Sequence, residues 1–131
     1  MNDLMKNKRG LVMGVANDKS IGWGIAKAIS DQGGKLAFTY QGEALKKRVV
    51  PLADSVNSEI VLPCDVSNDE DIDNTFDELK KIWPKIDFLV HAIAFSDKDE
   101  LKGEYIDTSR ENFKNTMDIS VYSFTAIARR A

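Results

Sequence analysis

The sequence predicts an α/β fold, a Rossmann-type doubly wound parallel sheet of about four strands with flanking helices. Two patterns predict it. Short apolar runs alternate with helix-length amphipathic segments, as in right-handed βαβ units, and a glycine-bearing loop joins the first run to the first helix. The composition permits such a core: the 131 residues are 43% hydrophobic and 30% charged, and 18 basic against 21 acidic residues leave a net charge of −3.

The first strand is the run Leu11-Val12-Met13, ending at Gly14. A polar loop leads into a helix over Ile21–Ile29, apolar at helical spacing and stopped by Gly33-Gly34. Leu36–Tyr40 reads as the second strand, Gly42–Val56 as a helix interrupted near Pro51, and Glu59–Leu62 as the third strand. Asp69–Trp83 follows as a helix with Ile72, Phe76, Leu79 and Trp83 on one face, and Pro84 separates it from a fourth strand, Ile86–His91. The last helix opens on Thr108-Ser109-Arg110-Glu111, read as a capping box, and carries Phe113, Met117, Phe124, Ile127 and Ala128 on one side. With no glycine or proline to stop it, the expectation is that the sequence continues beyond Ala131 and that residues 1–131 are a partial dinucleotide-binding domain.

Composition also narrows the function. Cys64 is the only cysteine, so there is no disulfide framework, and a single His with a single Cys closes no zinc site. A reducing, cytoplasmic setting is therefore expected. Basic residues are interspersed with acidic ones, which argues against a nucleic-acid surface. No apolar window approaches the ~18 residues of a membrane span, and the basic N-terminus is followed by too short an apolar run for a signal peptide.

The loop Gly14–Gly24 is the most informative segment. Small residues there let backbone approach a pyrophosphate, and the start of the following helix supplies N–H donors. The ordinary G-x-G-x-x-G fingerprint is absent, so a plain βα turn with glycines for packing stays open. On the phosphate reading, a side chain at Gly14 blocks the ligand and leaves the fold largely intact. A P-loop is excluded, because Asp18 stands where the second glycine must precede the Lys, one residue short of the required spacing. A calcium loop counted from Asp65 fails too, with Glu70 at its glycine position and Phe76 at its bidentate position. The acids over 69–73 instead suit a helix N-terminus. Asp65 follows the third strand at the carboxyl edge of the sheet, where it either accepts from an adenine amino group or caps a helix. Gln41 stands where an Asp or Glu commonly holds a ribose hydroxyl, with no Arg beside it to attract a 2′-phosphate. His91, the sole histidine, reads as structural, and the small residues after it allow a flat cofactor to lie against backbone.

Taken together, Gly14-Val15-Ala16 with Ser20-Ile21, Phe38–Gln41, Val61–Val66, Trp83–Asp87, His91–Phe95, Asp118–Ser120 and Tyr122–Phe124 resemble the N-terminal half of the bacterial NADH-dependent enoyl-acyl carrier protein reductases. These are a divergent branch of the short-chain dehydrogenase/reductase family. The resemblance runs over essentially the whole chain. It implies NADH as cofactor, with Gly14, Ser20 and Ile21 at the pyrophosphate, Gln41 at the adenosine ribose, Asp65 and Val66 at the adenine, and Ile93 at the nicotinamide ribose. Ser96 is implied where the acyl head of the substrate approaches. The implied substrate is an enoyl thioester on acyl carrier protein, and the implied assembly is a homotetramer. Ala94 stands where the family often has Gly, and Ser120 where most short-chain dehydrogenases have Asn.

The family's catalytic Tyr and Lys, spaced Y-x6-K, are expected beyond Ala131, so no catalytic residue is assigned within the chain. Tyr40 and Lys47 share that spacing, but Tyr40 ends a strand on the adenosine side. The alternative is a non-catalytic nucleotide-binding regulatory or scaffold domain on the same fold.

Overall fold

The four strands of the computed structural model, which describes residues 2–131, are Arg9–Met13 (β1), Lys35–Tyr40 (β2), Val61–Pro63 (β3) and Phe88–His91 (β4). They pair in parallel in the order β3-β2-β1-β4. Leu11 lies opposite Ala37 on one side and Leu89 on the other, and Phe38 lies opposite Val61. Because successive strand side chains point to opposite faces, the central strand feeds two cores. Leu11 and Met13 join Ile72 and Leu79 of helix α3 (Asp69–Ile82) and Ala126 and Ile127 of helix α5 (Ser123–Ala128). Val12 and Phe38 face the other way, against Trp23 and Ala26 of helix α1 (Ile21–Asp31) and Val49 and Ala53 of helix α2 (Glu43–Ser55). Helices on both faces of an all-parallel sheet make the fold doubly wound, as expected.

Several boundaries differ from the sequence reading, each for a local reason. Helix α2 runs without interruption through Pro51. Both Pro51 and Lys47, whose carbonyl loses its helical donor, are exposed, so water can take the place of the missing N–H. Strand β3 starts at Val61 rather than Glu59, because Ser58 Oγ donates to the Leu36 carbonyl at 2.6 Å and side chain replaces ladder there. Strand β4 begins at Phe88, two residues late, since Asp87 is held by Arg9, its N–H donating to the Arg9 carbonyl and its Oδ2 accepting from the Arg9 N–H. Trp83 caps α3 with its N–H on the Leu79 carbonyl rather than extending the helix. The acids of the first turn, Asp69, Glu70 and Asp71, sit at the positive end of the α3 dipole as anticipated.

The largest departure is the last helix, which is three pieces: α4 (Arg110–Met117), a π turn (Asp118–Tyr122) and α5. The wider turn shifts the helical phase, so the residues read as one apolar side separate. Ile127 is fully buried, while Phe113, Met117 and Phe124 remain 46%, 41% and 51% exposed. The capping box also resolves differently. Ser109 is the N-cap, accepting from the Asn112 N–H, and Glu100 rather than Glu111 accepts the Ser109 N–H at 2.5 Å. That contact holds the Glu100 carboxyl below its usual pKa.

Candidate functional site

An open α/β sheet binds ligands beyond the carboxyl ends of its strands, at the point where the strand order reverses. Here that point lies between β1 and β4, and a cleft of about 280 Å³ occupies it. Gly14, Val15 and Ala16 form one rim, Ala92, Ile93, Ala94 and Phe95 another, and Thr39, Gln41, Cys64 and Val66 close the side over β2 and β3. Small and apolar side chains thus surround the space, with few polar groups at its edge, as suits a flat ring lying against backbone.

Four of the eight residues expected from the sequence line this cleft: Gly14, Gln41, Val66 and Ile93. The other four lie outside its lining. Ser20 is the N-cap residue of α1 without a side-chain cap bond, because its Oγ donates to the Asn17 carbonyl at 2.7 Å within its own loop. Ile21 opens the helix and is 81% exposed. Asp65 follows β3, where its Oδ1 accepts from the Ser67 N–H at 2.9 Å and the Ser67 hydroxyl at 2.6 Å; Asn68, not Asp65, caps α3. Ser96 stands past the cleft on the loop after β4, bonded to Asn112 and Thr116 of α4.

Gly14 adopts φ +103°, and a Cβ there would stand 2.0 Å from the Ala92 carbonyl oxygen. The glycine is needed where the β1 end presses against the β4 end, which the Ala92 N–H to Met13 carbonyl bond of 2.9 Å pulls together. The expectation that a side chain at Gly14 spares the fold is therefore corrected, since the collision is with backbone.

Sequence reasoning missed Leu45, Cys64 and Ile119 in the lining. Cys64 directly follows β3 at the same carboxyl edge as Asp65, so its position was available. Burial pushes its thiol pKa up, which favours the neutral thiol. Ile119 lies in the π turn, whose phase a regular helical count does not give. His91 is structural, as read. Its Nε2 stands 2.8 Å from Ser123 Oγ, its ring meets Phe124 edge-on at 5.5 Å, and burial lowers its pKa. Ser123 donates its hydroxyl hydrogen to the Ile119 carbonyl at 2.5 Å, so Oγ accepts from Nε2–H of a neutral ring.

The residues fit a dinucleotide on two structural grounds. The first N–H groups of α1 at Ile21 and Gly22 have no helical acceptor, and the Ser20 side chain, turned into the loop, does not take them. Gly22 is buried, and a Cβ there would already touch Ala92 and Val15 at 3.4 Å, so the helix start sits as close to the cleft as backbone allows. Among the described residues no cluster of His, Cys, Asp and Glu could hold a metal ion, and no helix is long and apolar enough to cross a membrane.

Sheet order, helices on both faces and a cleft at the switch point define the class as a Rossmann-type α/β fold. Residues 14–131 match the family model described as enoyl-(acyl carrier protein) reductase. The chain belongs to this family. It is 63% identical over 131 residues, all of this chain and 49% of the relative, to enoyl-[acyl-carrier-protein] reductase [NADH] 2 of Rhizobium meliloti. It is 51% identical over 126 residues, or 96% of this chain and 47% of the relative, to the enzyme named FabI of Aquifex aeolicus. Among solved structures, FabI of Candidatus Liberibacter asiaticus superposes with a TM-score of 0.98 at 53% identity, covering all of this chain and 51% of that one. The Anaplasma phagocytophilum enoyl reductase in complex with NAD gives a TM-score of 0.95 at 55% identity, covering all of this chain and 50% of that one. The chain spans about half the length of the curated relatives it matches.

Proposed function

We propose that this chain is the cofactor-binding half of an NADH-dependent enoyl-acyl carrier protein reductase of fatty acid biosynthesis. The observation that carries this reading is the apolar cleft at the β1/β4 switch point, beside the open N–H groups of α1, in a chain of this family. The bound nicotinamide supplies a hydride for the β-carbon of a trans-2-enoyl thioester.

The chain's own residues bind and orient. Gly14 keeps the loop low enough for the Ile21 and Gly22 N–H groups, beside Ser20, to reach a pyrophosphate. Gln41 hydrogen-bonds the adenosine ribose and, being neutral, offers no charge to a 2′-phosphate. Asp65, with Oδ1 held by Ser67, turns Oδ2 to the adenine amino group beside Val66. Ile93 packs at the nicotinamide ribose and excludes water, and Ser96 meets the acyl head. Proton delivery to the enolate falls to the Tyr of the family's Y-x6-K pair. That resemblance also supports the acyl carrier protein partner and a cytoplasmic homotetramer.

The test is a reductase assay on the longer polypeptide that carries this chain, following loss of NADH absorbance with crotonyl thioester. Turnover with NADH, and tighter binding of NADH than NADPH, is expected. Absence of turnover, or a preference for NADPH, overturns the assignment.

A further inference from the structure

Phe95 lines both the cofactor cleft and a larger hollow of about 970 Å³ between the loop after β4 and helix α4. The loop at Phe95–Asp97 is thus a partition between the two spaces. Its irregular peptide groups need partners outside the sheet. One of them is Asn112, a polar side chain buried to 8% exposure on α4. Its Oδ1 accepts the Asp97 N–H at 3.0 Å, while its Nδ2 donates to Ser96 Oγ and Thr108 Oγ1, each at 3.2 Å.

These bonds have a direction. A backbone N–H can only donate, so Asp97 determines which end of the Asn112 amide is oxygen, and the NH2 end must face Ser96. Ser96 Oγ then accepts from Nδ2, while the Thr116 hydroxyl, 3.2 Å from that oxygen, also stands 3.4 Å from Asn112 Oδ1. Because the Nδ2 it faces cannot accept, Ser96 does not spend its own hydrogen on Asn112, which frees it for a group outside. An asparagine is a poor helix former and costly to bury unless its polar atoms are bonded, and here the amide is held on one side by the Asp97 N–H and on the other by Ser96 and Thr108.

We propose that Asn112 is a positioning residue that sets the hydrogen-bond polarity of Ser96, presenting its O–H as a donor to an acceptor oxygen of the thioester substrate. The inference rests on the reductase reading above for the identity of that substrate. It accounts for a serine half-buried at the partition and yet outside the cofactor cleft.

The test uses the longer polypeptide with crotonyl thioester and the near-isosteric Asn112→Asp, which replaces the Nδ2 donors with an acceptor so that Ser96 donates inward. Asn112→Asp and Ser96→Ala should each raise KM about tenfold, the loss of roughly one hydrogen bond, with NADH affinity within about twofold of wild type. The double variant should be no worse than either single one, because both remove the same donor. Wild-type KM in Asn112→Asp, or effects that multiply, overturns the proposal. If the wild type itself does not turn over the thioester, the reductase reading fails, and the polarity is decided by NMR on the chain itself. Ser96→Ala should then shift one Asn112 side-chain NH2 proton, and two unmoved signals refute the bond.

Discussion

Replacing Gly14 with alanine is the sharpest perturbation of the frame that holds the cleft. The new Cβ would lie 2.0 Å from the Ala92 carbonyl oxygen and 2.5 Å from its carbon, both backbone atoms that cannot rotate away. Holding a non-glycine residue at φ +103° costs of order 1–3 kcal/mol, and forcing a carbon into a packed contact costs about another 1–3 kcal/mol. Relief requires the ends of β1 and β4 to part, breaking the Ala92 N–H to Met13 carbonyl bond of 2.9 Å. The expected loss is therefore about 2–6 kcal/mol, a large share of the ~5–15 kcal/mol that a domain has. Urea unfolding followed by far-UV circular dichroism measures it, with ligand affinity falling in step with the folded fraction. A Gly14→Ala protein that unfolds at the wild-type midpoint would refute the reasoning and return Gly14 to the role of a simple ligand-facing turn.

The split of the last helix gives a paired prediction: Ile127→Ala, at a fully buried site, should cost about 2–5 kcal/mol, whereas Phe113→Ser, at a side chain already 46% exposed, should stay within about 0.5 kcal/mol, both read from urea midpoints. His91 should impart a pH dependence. Burial lowers its folded pKa below the unfolded value near 6.5, so the unfolded state binds the proton first. Its contribution is intact above that pH and is lost as pH falls through the folded pKa; stability measured against pH in His91→Gln should lack this drop, and parallel curves for the two proteins would count against it.

Much of the architecture was legible because alternation of apolar strands with amphipathic helices is a local signal, and the burial of Leu11, Val12, Ile72 and Leu79 follows from their spacing alone. What was not legible depends on contacts distant in sequence. Pro51 suggested a break that solvent exposure makes unnecessary. The π turn at Asp118–Tyr122 has no compositional mark, so Ile119 at the cleft was not assigned, and Phe113, Met117 and Phe124 were read onto the buried side that Ile127 occupies without them. The Asn112 amide escaped notice because its partners, Ser96 and Asp97, lie 16 and 15 residues away and belong to an irregular loop. Gly14 was read as a residue that only a ligand needs, whereas the fold needs it too, against Ala92, 78 positions on by the residue numbers, across the sheet.

The central claim, that the β1/β4 crevice is the NADH site, is tested most directly by amide NMR on the isotopically labelled chain titrated with NADH. The account predicts shifts concentrated at Gly14, Ile21, Gly22, Gln41, Val66 and Ile93, with the far end of α3 around Lys81 unmoved. Saturating NADH that leaves these amides in place, or moves those near Lys81 instead, would contradict it.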